Sequence, residues 1–78
     1  MTNIEVLKER VGWGEEFLFR YKNNEYWISQ NEFGIYLTKV DTKGNLTQNF
    51  STADDLFRDG RVNGEKIDDI WEEIKKEF

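Results

Sequence analysis

The sequence predicts an α+β fold: a two-layer domain in which an antiparallel four-stranded meander is preceded by one helix and followed by two, in the order α-β-β-β-β-α-α. Three observations predict it. Between residues 16 and 40, the runs EFLFRY, YWISQ and FGIYLTKV alternate in polarity, are rich in aromatic and β-branched residues, and are separated by Asn-containing turns. Near the end, Ile67, Ile70, Trp71, Ile74 and Phe78 recur at i, i+3, i+4, i+7 and i+11, the stripe of an amphipathic helix. The 78 residues contain no Pro, repeat or low-complexity segment, so residues 1–78 are expected to form a single small domain.

Thr2-Asn3-Ile4-Glu5 has the form of a capping box, with Thr2 as N-cap and Glu5 at the third helical position. Ile4, Leu7 and Val11 continue as one stripe of a short helix that Gly12 or Gly14 would stop. Two to three turns are not stable alone, so this helix must dock. Trp13, between two glycines, is expected to tuck against the sheet edge. Gly12-x-Gly14 is not a phosphate loop, because no strand precedes it.

In the meander, Asn23-Asn24 can supply the positive φ values of a type I′ turn. That turn would pair Tyr21 with Tyr26, Arg20 with Trp27 and Phe19 with Ile28. A second turn at Asn31-Glu32 would pair Gln30 with Phe33, Ile28 with Ile35 and Trp27 with Tyr36. The two registers agree on two faces, which a one-residue slip would exchange. One carries Phe17, Phe19, Tyr21, Tyr26, Ile28, Phe33, Ile35 and Leu37 and is the expected core, each side chain contributing about 1.5–3 kcal/mol when buried. The other carries Leu18, Arg20, Trp27, Ser29, Tyr36 and Thr38.

Asp41-Thr42-Lys43-Gly44-Asn45 is a turn and LTQNF the fourth strand. A four-residue loop pairs Leu37 with Phe50 and places Phe50 in the core; a three- or five-residue loop would move Phe50 to the Tyr36 face. The core placement is preferred. Ser51 or Thr52 caps a short helix with Asp54 and Asp55 in its first turn, where the helix dipole favours acids, and Asp59-Gly60 ends it. Arg61-Val62 is extended, Asn63-Gly64 turns the chain, and the last helix is expected over 65–77.

Composition narrows the chemistry. Cys and His are both absent, which removes disulfides, thiolate nucleophiles, the commonest metal ligands and the commonest general base. No cofactor and no metal are expected. Net charge is −5, with six basic and seven acidic residues in 1–50 against five and nine in 51–78. That acidity argues against a phosphate-backbone partner, so no nucleic acid is expected. No apolar run reaches the roughly 20 residues of a membrane span and no signal-peptide pattern opens the chain. A cytoplasmic location without membrane attachment is therefore expected. Asn45-Leu46-Thr47 and Asn49-Phe50-Ser51 match the glycosylation sequon without consequence there. Abundant Lys, Asn, Ile, Phe and Tyr with a single Ala suit an AT-rich bacterial or phage genome.

Asp68 and Glu72, or Asp69 and Glu73, share helix faces at i, i+4, but such pairs are far more often solvated surface supported by contacts like Glu72–Lys76. Asp59-x-Arg61-x-Asn63-Gly64 fails as a calcium loop, with Arg61 at the third ligand position and Ile70 at the twelfth. Helix-meander-helix order resembles the double-stranded-RNA-binding domain in outline. Glu65-Lys66-Ile67-Asp68-Asp69 is net acidic where that family is basic, and the extra strand and short helix depart from it, so RNA binding is not expected.

The residues that stand out are Arg20, Trp27 and Tyr36, expected in one row on the second face with Leu18 and Thr38 beside them and with Arg20 placed to stack on Trp27. Trp, Tyr and Arg are enriched at interface hot spots, and a solvated sheet face should not carry two large aromatics without reason. The competing arrangement lays the N-terminal helix over this face and makes the row a second small core. The expected function is thus a non-enzymatic protein-interaction module, an inhibitor, immunity-type factor or adaptor, with an unknown protein partner and as a monomer or weak homodimer. The alternatives are a small carboxylate-dependent enzyme and an acidic mimic of nucleic acid.

Overall fold

The structure is a computed structural model that describes residues 3–78. Helix α1 spans Ile4–Gly12. Its N-cap is Asn3, whose Oδ1 accepts the Glu5 N–H at 2.7 Å. Thr2, the expected cap, lies outside the described residues.

Strands β1 (Phe17–Tyr21), β2 (Asn24–Asn31), β3 (Gly34–Val40) and β4 (Leu46–Phe50) form one antiparallel sheet in the order β1-β2-β3-β4. Both tight turns fall one residue away from the expected positions. The first is Lys22-Asn23, with φ of 49° and 66°, both positive as a type I′ turn requires. It pairs Tyr21 with Asn24, Arg20 with Glu25, Phe19 with Tyr26 and Leu18 with Trp27. The second is Glu32-Phe33, flanked by the pair Asn31–Gly34. The expected pairs Arg20–Trp27 and Trp27–Tyr36 are therefore replaced. Moving a turn by one residue shifts each ladder by two, which preserves the period-2 alternation and leaves the strand residues of both faces as read, Phe33 alone passing into a turn. The observed register stacks Phe19 on Tyr26, with ring centroids 5.5 Å apart and planes 16° apart. It also sets Arg20 opposite Glu25. β4 obeys the same parity: Phe50 pairs with Ile35 rather than Leu37 and remains on the core face.

Helix α2 spans Ala53–Asp59, capped by Thr52, whose Oγ1 accepts the Asp55 N–H at 3.1 Å. Helix α3 spans Ile67–Ile74 and passes into a 3-10 turn at Lys75–Glu77. It starts two residues later than expected because Asn63-Gly64 (φ 56° and 80°) closes a small hairpin in which Val62 and Glu65 exchange main-chain hydrogen bonds of 2.8 and 3.0 Å. Gln48 of β4 reinforces that hairpin from the sheet: its side-chain amide accepts the Arg61 N–H at 2.8 Å and donates to the Arg61 carbonyl at 2.7 Å.

All three helices pack on one side. Leu7 and Val11 of α1, Leu56 and Phe57 of α2, and Ile67, Ile70, Trp71 and Ile74 of α3 join a single cluster with Phe19, Tyr21, Tyr26, Ile28, Ile35 and Leu37. Phe78 closes its end against Phe17, Phe19 and Trp71 at centroid distances of 5.4–5.6 Å. The principal extents are 31 × 30 × 18 Å. The short dimension is that of one sheet and one helical layer, so α1 does not cover the second face. Phe33 leaves the expected core because it occupies a turn position, and it is 83% exposed.

Candidate functional site

The second face of the sheet is open. Leu18, 58% exposed, stands opposite Trp27, 39% exposed. The row they begin continues through Thr38 to Thr47, not through Arg20 and Tyr36. Arg20 lies in the neighbouring row with Glu25 and Val40, and Tyr36 lies on the other side between Ser29 and Asn49. All five residues singled out from the sequence are on this face, but as a patch centred on Trp27. Thr38 is only 7% exposed, and its hydroxyl is 3.0 Å from that of Thr47. It serves as the floor of the patch. The expected Arg20–Trp27 stack does not form: among the described residues the cation–π pairs are Lys8 with Phe57, Arg10 with Phe17 and Lys22 with Tyr21. The Arg20 main-chain N–H donates to Glu77 Oε1 at 3.2 Å, so the 3-10 turn shields this edge of the sheet.

A second feature lies at the end of the molecule where α1, the β2–β3 turn and the start of α2 meet. There a groove of about 670 Å³ is bordered by two exposed aromatics, Trp13 and Phe33. Trp13 is 71% exposed rather than tucked against the sheet. The cause is how α1 ends. Gly14 adopts φ +103°, its N–H bonds the Val11 carbonyl at 3.1 Å and the Glu15 N–H bonds the Arg10 carbonyl at 3.2 Å. That is a Schellman ending with Gly14 in the left-handed position, and it leaves Trp13 as the C-cap facing solvent.

Side chains fix both aromatics' backbones. Gln30 of β2 donates its amide to the Val11 carbonyl at 2.7 Å and the Glu15 carbonyl at 3.3 Å. Arg10 makes a two-pronged ion pair with Glu15 at 2.6 and 2.7 Å. Asn31 Oδ1 accepts the Phe33 N–H at 2.8 Å and the Tyr36 hydroxyl at 3.1 Å, linking the turn to the open face. Sequence reasoning missed Trp13, Phe33 and Gln30 as a group. The available signals were a Trp between two glycines and a Phe followed by Gly34.

The Arg10 guanidinium holds the Glu15 carboxyl below its ordinary value, and Arg58 does the same for Asp59. Tyr21 is pushed upward, chiefly because its hydroxyl donates to Glu65 Oε2 at 2.7 Å and secondarily by burial. Burial also raises Tyr26, whose hydroxyl is enclosed without a hydrogen-bond partner among the described residues. Among the described residues no group of three or more carboxylates is placed to hold a metal ion. No described helix is long and apolar enough to cross a membrane. On the last helix, Asp68 pairs with Lys8 at 3.2 Å and Glu72 with Lys75 at 2.5 Å, one residue short of the expected partner Lys76.

The chain matches none of the protein-family models, curated proteins or solved structures with which it was compared.

Proposed function

We propose that the protein is a non-enzymatic interaction module whose open sheet face docks on a folded protein partner, with Trp27 and Leu18 as the central contacts and Arg20 and Tyr36 at the rim. One observation carries the reading: Leu18 and Trp27 are directly paired on a face that none of the described helices covers. A large indole beside an exposed aliphatic side chain, with charged and hydroxyl groups around it, is the composition of an interface centre and rim. The Lys-, Asn-, Ile- and Phe-rich, Ala-poor composition supports a bacterial or phage origin, and the lack of Cys supports action in a reducing compartment such as the cytoplasm.

An enzymatic role for the carboxylates has less support. Of the helix acids that could serve, Asp68 is paired with Lys8 and Glu72 with Lys75, which suits surface ion pairs. Mimicry of nucleic acid by the last helix is weakened by the lysines paired with Asp68 and Glu72.

The test is capture of a partner from source-cell lysate by wild type and by Trp27→Ala, with circular dichroism of both and titration of the purified pair. The reading expects the folded variant to lose more than about 2 kcal/mol of binding. Equal binding by a folded Trp27→Ala would remove this face from the function.

A further inference from the structure

The groove at the α1–turn–α2 junction carries chemistry that the open face does not. Its rim holds Trp13 and Phe33, and its lining includes the carboxylates of Glu9, Glu32 and Asp54. Lys8 is the cation in the lining, and it is already engaged by Asp68 at 3.2 Å and Glu5 at 3.8 Å. None of the three carboxylates has an ion-pair partner among the described residues. They are not gathered as metal ligands. The lining thus carries three acids, one each from α1, the β2–β3 turn and α2, against one engaged lysine, with an exposed indole at its edge on a backbone fixed by Gly14 and Gln30.

We propose that this groove binds an arginine-bearing peptide segment of a partner protein. A guanidinium is the group whose planar face stacks on an indole while its N–H edge donates to a carboxylate. A segment with spaced arginines matches acids supplied by three separate elements and not gathered around one point, where a single metal ion or small anion does not. The main chain at Trp13 is held by the Gly14 turn and by Gln30, so only the indole has to be ordered on contact. The site is separate from the Trp27 face and does not depend on it.

The experiment is a two-dimensional NMR titration of the 78-residue chain at low salt with acetyl-(Arg-Gly)3-amide. The same peptide with citrulline and with lysine in place of arginine serves for comparison. The proposal expects saturable shifts of the Trp13 indole N–H and the Phe33 amide. It expects affinity about tenfold weaker for Trp13→Ala and for Phe33→Ser, no saturable shifts with the citrulline peptide, and weaker binding by the lysine peptide. Trp27→Ala should bind as wild type does. Three results would each overturn it: no saturable shift at Trp13, Trp13→Ala and Phe33→Ser both binding within about twofold of wild type, or lysine and arginine peptides binding equally.

Discussion

Leu18 faces Trp27 across the β1–β2 ladder, and both lie on the sheet face opposite the core that the described helices share. Directly opposed positions bring Cβ atoms to about 4.5–5.5 Å. The pair thus forms one apolar contact on the sheet surface, floored by the hydroxyl pair Thr38–Thr47. Under the proposed function, that arrangement would separate binding from folding, and the separation is measurable.

Trp27→Ala should therefore be mild and Trp71→Ala severe. Trp71 is buried among α3, Phe78 and the core, and its truncation should cost about 3–5 kcal/mol. Trp27→Ala should cost about 1 kcal/mol, as a partly exposed surface change. Urea unfolding followed by circular dichroism compares the two. Equal costs would mean that the Trp27 face is part of the core.

Gly14→Ala tests how the groove is built. A φ of +103° strains any residue with a Cβ, although open space surrounds the position. The expected loss is about 1–2 kcal/mol. It should be accompanied by a change in the Trp13 indole environment, read by fluorescence. An unchanged stability would mean that the α1 ending does not depend on the left-handed turn.

The pH dependence has a defined sign. Arg10 lowers the Glu15 carboxyl in the folded chain from its ordinary value of 4.5, and Arg58 lowers Asp59 from 3.8. A carboxyl depressed by folding stabilises the fold above its unfolded value, and that contribution is lost as pH falls through the folded value. Melting temperature should thus decline on acidification below about pH 5, and Glu15→Gln should flatten the decline. An identical pH profile for wild type and Glu15→Gln would contradict the assignment.

The two faces of the sheet were legible in the sequence because alternation survives a shift of two residues. The row across the outer face was not. Both Asn23-Asn24 and Lys22-Asn23 contain a residue that tolerates positive φ, so turn chemistry alone does not choose between them; the observed register is the one that stacks Phe19 on Tyr26. Apolar pattern alone also counted Phe33 as core, whereas its turn position exposes it. Trp13 was misplaced for a related reason: Gly14 ends α1 one residue after it and turns the indole outward. The order of elements, the α3 stripe and the Thr52 cap rest on local patterns and were readable directly.

The most direct test of the central claim is paired capture and titration with wild type, Trp27→Ala and Trp71→Phe, each confirmed folded by circular dichroism. The account predicts a protein partner retained by wild type and by Trp71→Phe, and lost by folded Trp27→Ala. Retention of the same partner, at the same affinity, by folded Trp27→Ala would contradict it.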